Sequence, residues 1–262
     1  MRRYLVLYLY FLRFSFSRAM QFRFDFFFKV AMDVLYYATN MAFFTILFDH
    51  TSMLGRWNLD EVYVFVCTFL FIDAVHMAVF ANNLEALPGF VRRGDLDYYL
   101  VRPVSSLFFL SVRDFAANSF LNALIASGLL VWSILHLDQA PSPSALAWFV
   151  VMLFAGSLVC FLVRLAFVIP VFWLQSNRGL SELSFALDHL SERPHHVYTG
   201  AVRMLLVTVL PLAFFSSMPA AVVLDGPSAS VLGHTALVVL GTVVFVGWFW
   251  RRAVRAYGSA SS

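Results

Sequence analysis

The stretch VYVFVCTFLFIDAVHMAVF, residues 62–80, contains one charged side chain, Asp73, among its 19 residues. As a helix it would rise about 28 Å, which is close to the hydrocarbon thickness of a bilayer, roughly 30 Å. Lipid offers the backbone no hydrogen-bond partner, so an apolar run of this length is expected to be helical. The stretch therefore predicts a helix that crosses a membrane.

Similar runs lie on both sides of this segment. They cover residues 30–48, 115–135, 145–175, 201–224 and 231–250. Hydrophobic side chains make up 61% of the 262 residues and charged ones 13%, which is too little charge to cover a water-soluble domain. The alternating pattern of a membrane β-barrel is absent from the sequence. The sequence predicts an all-α, polytopic membrane protein with six transmembrane helices in a domain of residues 30–250.

Basic residues are concentrated in alternate connections between these runs. Fourteen lie before the first run, after the second, after the fourth and in the tail: Arg2, Arg3, Arg13, Arg18, Arg23, Lys29, Arg92, Arg93, Arg102, Arg178, Arg193, Arg251, Arg252 and Arg255. The other three connections, residues 49–61, 136–144 and 225–230, contain Arg56 alone. Because Lys- and Arg-rich loops stay in the cytoplasm, both termini, the loop 176–200 and the tail 251–262 are predicted to be cytoplasmic.

The N-terminal segment, residues 1–29, is basic and aromatic. On a helical projection Arg13, Ser17 and Arg18 share one side, and Phe and Tyr side chains occupy the other. This pattern predicts an amphipathic helix on the cytoplasmic face of the membrane. A basic lead-in that only sets the topology is the alternative.

Two of the six runs are unusual. The run 145–175 has 31 residues and would be about 46 Å long as a helix, so it should project beyond the bilayer. The run 201–224 carries Pro211 and Pro219, each of which removes a helical hydrogen bond. We expect a short crossing over residues 201–210, followed by a re-entrant segment, residues 211–225, that forms part of an outer gate. A single helix kinked at its prolines is the alternative.

Several catalytic motifs are absent from the sequence. There is no GxxxxGK[ST] phosphate-binding loop, no HExxH, no GxSxG and no paired-cysteine motif. Cys67 and Cys160 both fall inside apolar runs, where a cysteine is usually a small buried side chain. His195 and His196 are adjacent and would diverge on a helix, which favours a solvated loop over a metal site. The chain is therefore predicted to bind no metal and no cofactor and to catalyse no reaction.

Asp33, Asp73, His76 and Arg164 are ionisable side chains inside the apolar runs. Asp33 and Arg164 are expected near the inner headgroups, and Asp73 with His76 one turn later is expected deeper. Asp73 is predicted to form a hydrogen bond or ion pair within the bundle, with Arg164 or His76 as its partner. A role for Asp73, His76 or Arg164 in moving a proton or a substrate stays open.

The connection PGFVRRGDLDYYLVRPVSS, residues 88–106, is the most distinctive cytoplasmic segment. It combines a basic pair, a Gly-Asp turn, an apolar-aromatic patch and a terminating proline. We expect a short amphipathic helix that presents one side to a cytoplasmic partner. An interfacial loop whose arginines only set the topology is the alternative.

Within that connection, RGDLDYYLVRPV, residues 93–104, resembles the cytoplasmic signature of the type-2 ATP-binding-cassette (ABC) permeases. The similarity is to the branch formerly grouped as an uncharacterised family of bacterial membrane proteins. The stretch from Arg193-Pro194 through Tyr198, Arg203, Pro211 and Pro219 resembles the region around that branch's fifth span. Chain length, six spans and a basic aromatic N-terminal helix also agree with the family.

The resemblance implies a permease subunit of an ATP-driven ABC exporter in a bacterial cytoplasmic (inner) membrane. Two permease chains, identical or related, would form the pathway, and a dimer of separate ABC ATPase subunits would bind ATP and Mg²⁺ below it. The contact with the ATPase would be a coupling helix made of Arg92, Arg93, Gly94, Asp95, Leu96, Asp97, Tyr98, Arg102 and Pro103. An ion- or proton-coupled secondary transporter is the main alternative; a membrane-embedded enzyme and a scaffold are weaker ones. No nucleic-acid partner is expected, and the substrate cannot be read from the sequence.

Overall fold

The computed structural model describes residues 2–19, 21–101, 105–174 and 178–258, and these are almost entirely helical. The helices are α1 (Arg2–Ala19), α2 (Arg23–Phe48), α3 (Leu59–His76), α4 (Asn82–Arg93), α5 (Asp97–Leu100), α6 (Ser106–Val112), α7 (Ala117–Leu135), α8 (Pro143–Val168), α9 (Val171–Leu174), α10 (Arg178–Ser191), α11 (Gly200–Met204), α12 (Ser217–Asp225) and α13 (Ala229–Ala256). Wider π-helical turns, Met77–Ala81 and Leu205–Val209, extend α3 into α4 and lengthen α11. The all-α prediction is confirmed for the described residues.

Five helices are long and apolar enough to cross a membrane. They are Arg23–Phe48, Leu59–Arg93, Ala117–Leu135, Pro143–Leu174 and Ala229–Ala256. The predicted fifth run, residues 201–224, is not one long helix, because it is divided among the shorter apolar helix Gly200–Val209, a 3₁₀ turn Leu212–Phe215 and α12. The described residues thus contain five candidate spans where the sequence predicted six.

Side-chain caps define where three of the long helices begin. The side chain of Asn58 accepts a hydrogen bond from the Glu61 backbone, and Glu61 accepts one in return from the Asn58 backbone, at the start of α3. The hydroxyl groups of Ser142 and Ser228 each accept a single backbone hydrogen bond, from Ala145 at the start of α8 and from Val231 at the start of α13. We name the end of the bundle where α3 begins, beside Trp57, the upper end, and the end where α4 stops, at Gly94, the lower end.

Helix α3 lies at the centre of the bundle. It packs against α2, α7, α8 and α12, and nearly every side chain from Val62 to Ala74 is buried or half-buried. Helices α2 and α13 instead leave apolar side chains exposed, among them Phe43, Leu237 and Val244. An apolar exterior around a buried central helix is typical of a bundle surrounded by lipid.

The path of α10 differs from the prediction. It begins after α9, whose Phe172 packs on Trp250 and Tyr257 near the C-terminal end of α13. Beyond its other end, the His196 ring contacts Trp57 at the upper end, with centroids 4.1 Å apart. His196, in the predicted cytoplasmic loop 176–200, therefore lies beside the connection 49–61, which the sequence assigned to the opposite face.

Residues 200–225 enter and leave the bundle at the upper end. Gly200 and Asp225 line one pocket together with Arg56, which forms an ion pair with Asp225. Between them the chain reaches deep into the bundle, where the Phe214 carbonyl oxygen lies against Gly156 of α8. The chain thus returns to the end where it started; that residues 211–225 form a re-entrant segment in a membrane stays a prediction. In this region the deeply placed turn follows Pro211, and Pro219 lies in the returning helix α12.

Candidate functional site: a cleft in the bundle and a surface at its lower end

The predicted coupling segment starts where α4 ends. Gly94 terminates this helix in the left-handed conformation, with φ of 78°, which costs least for glycine. The Arg93 guanidinium lies 2.8 Å from the Asp95 carboxylate across this turn. A single helical turn, α5, then carries the tyrosines of the motif. Arg102 and Pro103, which the sequence also assigns to the coupling segment, lie outside the described residues.

Leu96 and Tyr99 fix this segment to the bundle. Leu96 is completely buried in a core cluster that includes Leu87 and Leu110. The Tyr99 hydroxyl accepts a hydrogen bond from Arg113, whose guanidinium also lies over the Tyr99 ring at 5.2 Å. Leu96 was predicted to contact a partner, and its burial makes it an anchor of the segment instead.

The outer side of the segment is exposed. Tyr98 is 61% exposed and Val101 is 81% exposed, and the charged side chains of Arg92, Arg93 and Asp95, close by in sequence, are exposed as well. Asp97 is half-buried. We name Arg92, Arg93, Asp95, Tyr98 and Val101 the lower surface. An exposed aromatic and a valine on a firmly anchored turn form a compact apolar patch with a charged rim.

Inside the bundle, Asp73, Arg164 and Asp188 form a buried ionic cluster. Arg164 donates a hydrogen bond to Asp73 over 3.0 Å, and its Nε lies 3.1 Å from the Asp188 carboxylate. The side-chain exposures are 13% for Arg164, 20% for Asp73 and 21% for Asp188. One guanidinium therefore faces two carboxylates, and the three side chains come from three different helices. Asp73 does lie against Arg164, as expected, but the sequence did not indicate Asp188.

Two further polar side chains lie near this cluster. The Asn122 amide donates a hydrogen bond to the Asp33 carboxylate, which joins α7 to α2. Asn122 Oδ1 and His76 Nδ1 are buried and have no partner among the described residues. His76, the other predicted intramembrane residue, contacts the Phe80 ring rather than Asp73 or Arg164.

A cleft of about 1180 Å³ opens beside this ionic cluster. Its wall comes from α1, α2, α3, α4, α7, α8 and α10, and it includes Asp33, Asp73, His76, Asn122, Arg164 and Asp188. Aromatic rings contribute much of the remaining wall. The cleft therefore combines a large apolar surface with a few charges, which is the usual composition of a small-molecule site.

The upper end carries a second, smaller site of about 640 Å³, lined by Arg56, Arg203 and His195 among others. The His195 backbone donates a hydrogen bond to the Ser217 hydroxyl. Burial, with the nearby Arg56 and Arg203, lowers the pKa of His196 to about 4. Burial, with His196 and the same arginines, lowers the pKa of His195 to about 3. Both histidines were expected in a solvated loop, and His195 is instead buried.

No group of three or more His, Cys, Asp or Glu side chains forms a candidate metal site within the described parts of the chain. The cleft offers space for a molecule, and the lower surface exposes an aromatic side chain and a valine.

Sequence comparison identifies the family. The model of the ABC-2 family transporter proteins matches residues 34–261, which is most of the chain. Comparisons with curated proteins and with solved structures give no match. The matched region includes the five candidate spans from residue 34 of α2 onward, the lower surface and the part of the cleft wall that follows Asp33. The chain belongs to the ABC-2 family of transporter proteins, as a membrane-embedded permease component that is not itself catalytic.

Proposed function

We propose that the chain is the permease subunit of an ATP-driven exporter in a bacterial cytoplasmic membrane. In this proposal it pairs with a second permease chain, identical or related, and a dimer of separate ABC ATPase subunits docks on the lower surface. ATP and Mg²⁺ bind to those subunits. ATP drives transport because it binds one conformation of the assembly better than the other.

The proposal includes a sixth crossing made by α10. Helix α10 starts near α9 at the lower end, and the chain reaches Trp57 at the upper end by His196. Its polar residue Asp188 forms an ion pair with Arg164 inside the bundle. With α10 counted, six segments connect the two ends, so both termini lie at the lower end. The excess of Arg and Lys in the lower connections supports a cytoplasmic position for that end.

The single observation that carries the ATPase contact is the exposed pair Tyr98 and Val101 on an anchored turn. Burial of Leu96 and the bond from Arg113 to Tyr99 hold that turn in place. A force applied to the turn would therefore reach α4, α6 and the core behind them. A coupling element needs this combination of an exposed contact and a rigid attachment.

The test is copurification from the native membrane. The tagged chain should retain an ABC-type ATPase, and Tyr98→Ala with Val101→Asp should remove most of it, because truncating an exposed aromatic and placing a charge at the centre of an interface both weaken association. Tyr10→Ala is the matched control, since Tyr10 on α1 is 64% exposed and Tyr98 is 61% exposed.

An ATPase that stays bound to the double variant at parental levels would contradict the docking surface. Loss of the ATPase from Tyr10→Ala as well would point to a general disturbance of the membrane face. Monodisperse elution of each variant in detergent shows that the permease itself is intact.

A further inference from the structure

The side chains of the cleft carry more negative than positive charge in its deep part. Asp33, Asp73 and Asp188 line it there, and Arg164 is the cation among them in the described residues. At the end of the cleft where α1 stops and α2 starts, the charges are closer to balance, since Lys29 pairs with Asp25 over 2.8 Å. An uncompensated carboxylate in a low-dielectric space is costly and favours the binding of a cation.

Among Asp33, Asp73 and Asp188, Asp33 is the carboxylate with the least compensation. Arg164 contacts both Asp73 and Asp188, but no cationic side chain in the described ranges lies within ion-pair distance of Asp33. Its partner is the neutral amide of Asn122. Asp73 is also close enough to act on Asp33 as a like charge. A positive group placed beside Asp33 would therefore supply the missing counter-charge and reduce this repulsion.

An independent observation concerns hydrogen-bond donors. Asn122 is 1% exposed and His76 is 4% exposed. Within the part of the chain that the structure describes, Asn122 Oδ1 lacks a donor and His76 Nδ1 lacks a partner. Both side chains line the cleft. Buried polar atoms without partners are rare in proteins and often mark the position of a missing ligand or water. A ligand that carries N–H groups would supply donors that the protein does not.

Aromatic rings form a large part of the remaining wall. Tyr36, Phe69, Phe167 and Phe185 belong to the cleft lining. Such rings provide apolar contact, and their faces attract cations. The cleft also reaches the half-buried and exposed aromatic side chains Phe22, Phe26 and Phe28 near the start of α2, where an amphipathic molecule could enter from the membrane.

We propose that the cleft binds an amphipathic organic cation whose positive group carries N–H donors, such as a primary ammonium, amidinium or guanidinium group, and that Asp33 with Asn122 binds that group. This inference rests on the proposed transport function and names its substrate class. The negative charge of Asp33 favours a cationic ligand. The N–H donors of the proposed ligand favour its binding over that of a quaternary cation of the same charge.

The test is equilibrium binding of dansylcadaverine, an aromatic primary amine, to the full chain in lipid nanodiscs, with empty nanodiscs subtracted. We expect saturable binding to the parent. The affinity of Asp33→Asn should be lower by about tenfold or more, since charge-assisted hydrogen bonds contribute this much. Asp33→Glu should retain most of the affinity. Asp25→Asn is the matched control on the same helix and in the same cleft, and it should change binding less than about twofold because Lys29 already neutralises Asp25.

The ligand series tests the chemistry separately. The trimethylammonium form of the probe should bind several-fold more weakly than the primary amine, and the neutral N-acetyl form more weakly still. Equal binding of the N-acetyl form, equal binding to Asp33→Asn, or preference for a sulfonate analogue would each overturn the proposal. Equal thermal unfolding temperatures of the parent and Asp33→Glu show that the fold is preserved.

The two proposals fail independently. Binding in nanodiscs requires no ATPase, so copurification of an ATPase without probe binding would refute the cationic ligand and leave the permease assignment standing. Probe binding that depends on Asp33, without any ATPase partner, would refute the proposed ATPase contact and leave the cation site standing.

Discussion

The imidazole ring of His196 lies edge-on against the indole ring of Trp57, with centroids 4.1 Å apart and planes at 83°. Trp57 is 1% exposed, and it also packs on Phe65 of α3. The contact joins two connections that are 139 residues apart in sequence. Because Trp57 lies at the upper end, the chain must pass the length of the bundle between α9 and His196, and α10 is the segment that does so.

Cysteine accessibility distinguishes this path from a cytoplasmic loop. Thr199→Cys and Ser52→Cys should both react with a membrane-impermeant maleimide added to intact cells, and Val101→Cys should react only after lysis. All three positions are exposed, and Thr199 makes no capping hydrogen bond that the change would remove. The native Cys67 and Cys160 are 0% and 1% exposed and should give little background. Labelling of Ser52→Cys without Thr199→Cys would contradict the path of α10.

The close approach of Gly156 to the re-entrant segment predicts a steric effect. A Cβ at Gly156 would lie 2.4 Å from the Phe214 carbonyl oxygen and 2.8 Å from Ile72 Cδ1. Gly156→Ala should therefore displace the segment and destabilise the protein by about 1–3 kcal/mol, as overpacking does. A thermal unfolding series in detergent measures this effect.

Gly128 on α7 is the matched control. A Cβ there meets nothing within 4 Å, so Gly128→Ala should be neutral or stabilising by up to about 1 kcal/mol through helix propensity. A Gly156→Ala protein as stable as the parent would show that the re-entrant segment does not pack on α8 in this way.

Hydropathy and charge placement were enough to predict most of the long helices. Residues 62–80 and similar runs are apolar and long enough to cross the hydrocarbon layer of a bilayer as helices. Helix α10 was missed because its sequence, RGLSELSFALDHLS, is too polar for a hydropathy window. Its Asp188 meets Arg164 inside the bundle, and a contact between residues so far apart in sequence has no local signal. The predicted fifth span was placed at residues 201–224, which contain no helix long enough to be a candidate span.

In the candidate sites, too, the sequence indicated some features, and others depend on contacts that only the fold creates. The motif at residues 93–104 indicated the coupling segment, but the sequence could not tell the buried Leu96 from the exposed Tyr98. Asp73 and Arg164 were recognisable as charges in apolar runs. Asn122 was not, since an isolated Asn on α7 acquires significance only from the Asp33 carboxylate that packs against it.

The ionic cluster predicts unequal effects of its members. Arg164→Leu leaves two buried carboxylates without a cation and should destabilise the protein by about 3–5 kcal/mol. Asp73→Asn should cost less, because Arg164 keeps Asp188 as a partner. The double change Arg164→Leu with Asp73→Asn should recover part of the loss. The measurement is the unfolding temperature and the yield of monodisperse protein.

Arg251→Leu is the control for loss of an arginine. Arg251 is exposed and its Nε donates only to the Gly247 carbonyl of its own helix among the described contacts, so this change should have little effect. An additive loss in the double variant would show that Arg164 and Asp73 do not interact energetically. Transport abolished by Asp73→Asn in a stable, normally abundant protein would instead assign Asp73 a role in transport.

The two histidines at the upper end predict loss of stability in acid. Their folded-state pKa values, about 4 for His196 and about 3 for His195, lie below that of an unfolded histidine, about 6.5. Between these values the unfolded chain binds protons that the folded chain does not, so stability should fall as the pH drops below about 6.5, by up to about 1.4 kcal/mol per pH unit for each histidine. His196→Gln should reduce the difference in unfolding temperature between pH 7.5 and pH 5, whereas His50→Gln, at an exposed position of the same end, should leave it unchanged. An identical pH dependence in the parent and in His196→Gln would show that His196 is not held neutral against Trp57. It would thereby contradict the close packing of these two connections around the His196 ring.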